Sequence, residues 1–162
     1  KPLSALADKK PFSQLTEKEI LALAISSEDD DARTYMAFAD ALHDDYPASA
    51  RLFIDMAEEE HEHRRRLTEL FQAKFGDFVP LIRRADVTGF VHHKPAWLVK
   101  QMTPEALRRR VAVMELENYR FYLSAAARAQ DGDVKALLLQ LACDSCRVNE
   151  DADRPVQVGE VG

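Results

Sequence analysis

The most concentrated chemistry in this chain lies in Met56-Ala57-Glu58-Glu59-Glu60-His61-Glu62-His63. Around it, Leu52, Phe53, Met56, Leu67 and Leu70 recur at helical spacing and mark the face a helix would bury. Glu60 and His63 fall in the gap of that same face. A buried lone charge is costly, so the pair needs a compensating partner. A bound metal is one such partner, and Glu-x-x-His on a bundle helix is the ligand spacing of a two-metal carboxylate site. Glu58, Glu59 and Glu62 read as solvated, with Glu59 a weak alternative ligand.

Two further carboxylates interrupt apolar stripes. Glu28 sits among Leu21, Ala24, Ile25, Ala32, Tyr35, Phe38 and Leu42. Glu115 sits among Leu107, Val111, Met114, Asn118, Phe121 and Tyr122. Glu117 lies further round its helix, so Glu115 is preferred. Asp29, Asp30 and Asp31 read as solvated. No stripe contains Lys or Arg, which argues against a plain bundle of hydrogen-bonded glutamates.

These side chains need long helices to carry them. The chain has 162 residues, 46% of them hydrophobic, with only 5 Gly, as expected of one helical domain with a well-filled core. Thr16 with Glu19 forms a capping box that opens a helix running to about His43. Asp44-Asp45-Tyr46-Pro47 breaks it. A second helix follows from about Ala48 to Phe75, with Gly76 as its cap. Residues 77–103 lack periodicity and read as a long crossover; His92 and His93 within it read as loop histidines. Thr103 and Pro104 open the third helix, which ends near Gly132. A fourth begins at Asp133, and after Ala142 its periodicity fades. Residues 1–14 read as a leader, 15–150 as the bundle and 151–162 as an irregular tail.

Net charge is −6 with both signs interspersed, so no nucleic-acid footprint is expected. No signal peptide is evident, and no run of about 18 apolar residues spans a membrane. The two cysteines, Cys143 and Cys146, form no disulfide framework and point to a reduced, cytoplasmic setting. Their Cys-x-x-Cys spacing stands alone and reads as incidental.

The chain also contains a weak internal duplication. Glu28 precedes Tyr35 by seven residues, and Glu115 precedes Tyr122 by the same interval. Each is followed by a polar break and a helix with an apolar pair, Met56-Ala57 or Leu141-Ala142. Two helix pairs related by a pseudo-twofold and joined by 77–103 make an all-α, ferritin-like four-helix bundle with a long crossover between helices 2 and 3.

At this point the sequence resembles the rubrerythrin branch of the ferritin-like superfamily. More narrowly, it is similar to the ferritin-like domain of membrane-bound ferritins, the erythrin–vacuolar iron transporter group. The residues carrying the resemblance are Ala24-Ile25-Ser26-Ser27-Glu28 with Tyr35, Tyr46-Pro47-Ala48-Ser49-Ala50, and Met56-Ala57-Glu58-Glu59-Glu60 with His63-Arg64. Pro80-Leu81-Ile82-Arg83-Arg84 and Glu115 with Phe121-Tyr122 complete them. The resemblance implies two irons, with Glu28 and Glu115 as single glutamates and Glu60 with His63 as the first Glu-x-x-His. It also implies ferroxidase or peroxidase chemistry with dioxygen or peroxide, during which Tyr35 and Tyr122 could donate hydrogen bonds to a bridging oxygen species. Zinc or manganese are substitute metals, and a homodimer is the expected assembly. The longer relatives are membrane-anchored.

The second Glu-x-x-His departs from the pattern. Ser145 stands where its glutamate belongs and Val148 where its histidine belongs. Asp144 is the nearby oxygen ligand that could stand in, with Glu150 a more distant one. If that loss is decisive, one metal or none is held, and the chain is a ferritin-like metal-binding or interaction module without catalysis. No rubredoxin-like set of Cys-x-x-Cys pairs supplies an electron donor.

Overall fold

The computed structural model describes residues 9–89 and 103–152, with side chains through Arg147. Four helices dominate: α1 (Glu17–Leu42), α2 (Pro47–Phe75), α3 (Pro104–Arg128) and α4 (Gly132–Ala152). α1 packs along α2, and α3 along α4, so the fold is an all-α bundle of two helix hairpins.

Local chemistry fixes the helix ends. Thr16 Oγ1 accepts from the Glu19 backbone N–H at 3.2 Å, and the Glu19 carboxylate accepts from the Thr16 N–H at 3.1 Å, which completes the capping box. α2 begins at Pro47 itself, where a missing N–H costs nothing. It stops at Gly76, whose φ of 92° favours glycine. Thr103 caps α3 by accepting from the Ala106 N–H at 3.2 Å. Asp131 Oδ1 accepts from the N–H groups of Asp133 and Val134 and so caps α4.

α4 extends further than its periodicity suggests. Residues 143–150 are helical, and the helix runs to Ala152. The weak pattern there reflects polar residues on a buried face: Asp144 and Ser145 are both sequestered beside Leu141 and Ala142. The expected crossover is described only in part. His92, His93 and Trp97 lie outside the described residues.

The chain before α1 is tied to the bundle. A two-residue strand, β1 (Lys10–Pro11), pairs in parallel with β2 (Val87–Thr88) in the crossover. The Phe12 ring meets Phe121 edge-on at 5.8 Å, and the Arg128 guanidinium lies 5.4 Å from the same ring. Arg128 also donates to the Leu15 carbonyl at 2.6 Å.

Two apolar clusters fill the interior. One joins the start of α1 to the end of α2, the end of α3 and the first part of α4, through residues such as Leu21, Phe71, Tyr122 and Leu138. The other joins the end of α1 to the starts of α2 and α3, through Phe38, Phe53, Leu107 and Met114. Between them on α1, α2 and α3 lie Glu28 and Asp31, Glu60 and His63, and Glu115 and Asn118, and α4 adds buried Asp144 and Ser145 beyond its part of the first cluster. The functional candidates thus form a polar layer in mid-bundle, with hydrocarbon on both sides of it along α1, α2 and α3.

Candidate metal centre

Burial of a carboxylate between apolar clusters is unfavourable unless something replaces its water. Glu28, Glu60 and Glu115 are each under 5% exposed, as is His63. Helical spacing brings Glu60 and His63 to one side of α2, three residues apart. His63 Nδ1 lies 3.6 Å from Glu28 Oε2 and 3.8 Å from Glu60 Oε2. These three residues present ligand atoms all within 4.8 Å of one another, from two different helices.

The other imidazole nitrogen faces outward. His63 Nε2 lies 3.1 Å from Asp144 Oδ2 on α4 and 3.8 Å from Glu59 Oε1. Asp144 also accepts from Gln140 Nε2 at 3.1 Å and from the Arg147 guanidinium. Glu59 is half-exposed at 46%, so its charge is largely solvated.

Tyr35 and Tyr122 make reciprocal contacts across the bundle. The Tyr35 hydroxyl on α1 donates to Glu115 on α3, and the Tyr122 hydroxyl on α3 donates to Glu28 on α1. In this structure the phenols therefore meet glutamates of the opposite hairpin, where the sequence suggested a bridging oxygen species. Both phenols are fully buried, and desolvation with the neighbouring carboxylates holds their protons well above the ordinary tyrosine range.

Burial and neighbouring carboxylates also favour protons on Glu60 and Glu115. Desolvation, then Glu28, pushes the Glu60 carboxyl well above its ordinary value. Glu115 is pushed up to about 8 by burial, against the Tyr35 hydrogen bond that favours its charged form. For His63, burial alone would lower the value; Glu28 foremost, then Glu59 and Asp144, outweigh it and raise the imidazole to about 9. A cation beside such buried carboxylates would favour their charged forms.

A second polar group adjoins the first, and sequence reasoning missed it. Asp31 is buried rather than solvated. The Arg84 guanidinium, from the turn Arg84–Asp86 in the crossover, grips it through two bonds of 3.0 and 3.1 Å. Asn118 Nδ2 donates to Asp31 at 2.8 Å, and Asn118 Oδ1 accepts from Arg84 at 3.4 Å. A basic residue does enter the interior, then, but from the crossover and not from a helical stripe. One signal was available: Asp31 follows Glu28 by three residues, as Asn118 follows Glu115, so the duplication extends to this pair.

A metal fits the inner cluster on an observation of the site itself. Glu28 Oε2 is buried without a hydrogen-bond partner while it faces His63 Nδ1 and Glu60. Two carboxylates and one imidazole are donors suited to iron, manganese or zinc.

Four helices in two hairpins around a buried Glu-x-x-His layer define a ferritin-like bundle with a candidate metal centre. Residues 19–144 match the rubrerythrin family model, and the chain belongs to that family. Among solved structures it is similar to an uncharacterized conserved protein from Magnetospirillum magnetotacticum MS-1. The likeness has a TM-score of 0.69 and 25% identity over 87% of this chain and 98% of that one. No curated protein matches the chain. No described helix is long and apolar enough to cross a membrane.

Proposed function

We propose that this protein binds iron in its mid-bundle layer and oxidises ferrous iron with dioxygen or hydrogen peroxide. The observation that carries this reading is the buried Glu28–Glu60–His63 cluster, in which one Glu28 oxygen lacks a hydrogen bond. Glu28 and Glu60 would hold the metal through carboxylate oxygens, and His63 through Nδ1. Bound there, iron supplies one-electron redox chemistry next to small oxidants.

Ferrous iron is also the substrate. Two ferrous ions give one electron each; dioxygen takes two electrons and two protons and leaves as hydrogen peroxide. With peroxide as oxidant, two electrons and two protons yield two waters. The chain's own part is to exclude bulk water and to manage protons. Tyr122 keeps its hydroxyl proton directed at Glu28, and Tyr35 directs its own at Glu115. Burial and Glu28 favour a proton on Glu60, and its carboxylate would have to give up that proton to hold a cation.

Within the family, the Pro80–Arg84 segment and the Glu28/Tyr35 spacing support kinship with the ferritin-like domain of membrane-bound ferritins. A reduced cytoplasmic setting and a homodimer belong to the same reading. A second reading, a metal-holding module without catalysis, is favoured by Ser145, buried where a further carboxylate is expected.

Aerobic oxidation of ferrous iron, followed by ferric absorbance, tests the two. The wild type is expected to accelerate oxidation over buffer, and Glu60→Ala, checked for helicity by circular dichroism, to lose the acceleration. Metal binding with no acceleration would instead establish the non-catalytic module.

A further inference from the structure

Two donor clusters meet at one side chain. The inner one joins Glu28, Glu60 and His63; the outer one joins Glu59, His63 and Asp144. A neutral imidazole has one free lone pair, because its other nitrogen carries a proton. The clusters are therefore alternatives and not two seats filled together.

The geometry selects between them. Asp144 Oδ2, at 3.1 Å, stands closer to His63 than any other carboxylate oxygen of the two clusters. Its other oxygen is already engaged by Gln140 and Arg147. An Nε2–H donated to Asp144 fixes the tautomer and leaves the lone pair on Nδ1, which faces Glu28 and Glu60. The outer cluster is also the poorer seat, since Glu59 is largely solvated and the Arg147 guanidinium already balances the Asp144 charge.

A second seat on the far side lacks donors. Glu115 belongs to no cluster of three such ligands among the described residues, and Tyr35 donates to one of its two oxygens. Ser145 offers a buried hydroxyl in place of a carboxylate, and a valine at 148 has no donor atom at all.

Resting on the metal-binding reading above, we propose that this chain seats one metal ion, held by Glu28, Glu60 and Nδ1 of His63. Asp144 is a positioning residue on Nε2, and the second seat expected of the family is lost.

Cobalt(II) loading of the full chain tests this, with stoichiometry from equilibrium dialysis and elemental analysis and helicity checked by circular dichroism. One cobalt per chain is expected in the wild type, in Glu59→Gln and in Glu115→Gln, and none in Glu60→Gln. Asp144→Asn should keep one cobalt but bind it about 10–100-fold more weakly, with a shifted visible spectrum, and Asp144→Glu should recover part of the affinity. Two cobalts in the wild type, one of them lost in Glu115→Gln, would overturn the proposal. So would a single cobalt lost in Glu59→Gln, which would assign the outer cluster. A folded wild type that takes up no cobalt would defeat the metal-binding reading itself. The Glu59 and Glu115 variants keep the proposal open to refutation even if Glu60→Gln does not fold.

Discussion

The two hairpins share a frame and differ in their chemistry. α1 and α3 match closely: each carries a glutamate, a polar partner three residues on and a tyrosine seven residues on. α2 and α4 do not. α2 supplies Glu60 and His63; α4 supplies Asp144 and Ser145 at the same level of the bundle. The difference teaches what each position is retained for. The matching set on α1 and α3 is held by mutual contacts, since each tyrosine serves the glutamate of the opposite helix and Asp31 meets Asn118. Those contacts need no metal, although one Glu28 oxygen is left without a hydrogen bond. Glu60 and His63 have no such closed arrangement, and the positions that the duplication pairs with them on α4 hold Ser145 and Val148.

Rebuilding the missing half should give the largest effect. Ser145→Glu with Val148→His restores Glu-x-x-His on α4, and cobalt content is expected to rise from one to two per chain by dialysis. No increase would mean that the halves differ in more than these two side chains.

Breaking the clamp between halves comes next. Arg84→Met leaves Asp31 buried without its cation, and loss of one partner of a buried pair costs about 3–5 kcal/mol. Denaturant unfolding of the apo-protein would show this as a lowered midpoint with an unchanged slope. An unchanged midpoint would mean that the crossover contributes nothing to docking.

Removing one hydroxyl from each half compares them directly. Tyr35→Phe and Tyr122→Phe each delete one buried hydrogen bond to a glutamate, for about 1–3 kcal/mol by the same measurement. Similar losses would support the pseudo-twofold. A much larger effect on one side would break it.

pH gives a graded effect of smaller size. His63 is held at about 9 in the folded state, above its ordinary 6.5, by Glu28 against the opposing effect of burial. Its contribution to apo stability is complete below about 6.5 and disappears as pH rises through 9. Glu115, raised by burial from 4.5 to about 8, acts in the same direction, with its contribution complete below 4.5 and gone above 8. The melting temperature of chelator-treated protein should therefore fall between pH 5 and 9. Metal would take the place of a proton on His63, so the metal-loaded form should resist that part of the decline. A flat apo profile would contradict the buried, protonated cluster.

Much of this could be read in the sequence because both helix stripes and their interruptions are periodic. Glu28, Glu60, His63 and Glu115 stood out as polar residues at apolar positions, and the structure places all four in the interior. Asp31 did not stand out, since it sits in a run of three aspartates whose other members face outward more. Its partner Arg84 lies in a segment without periodicity, and no local pattern announces a contact 53 residues away. The helical character of 143–150 was obscured for a related reason: Asp144 and Ser145 occupy buried positions where periodicity expects hydrocarbon. The packing of residues 10–15 on the bundle rests on two-residue strands and single ring contacts, too short to leave a pattern.

The reciprocal tyrosine–glutamate bonds also bear on the order of assembly. They join residues 80 and 94 positions apart, whereas each hairpin closes on a short turn between neighbouring helices. Contacts distant along the chain require more of it to be ordered before they can form. Neither hairpin alone can supply both ends of either bond. The two tyrosine–glutamate bonds therefore form only when the hairpins dock, and burial of the Tyr35 and Tyr122 phenols reports that final event.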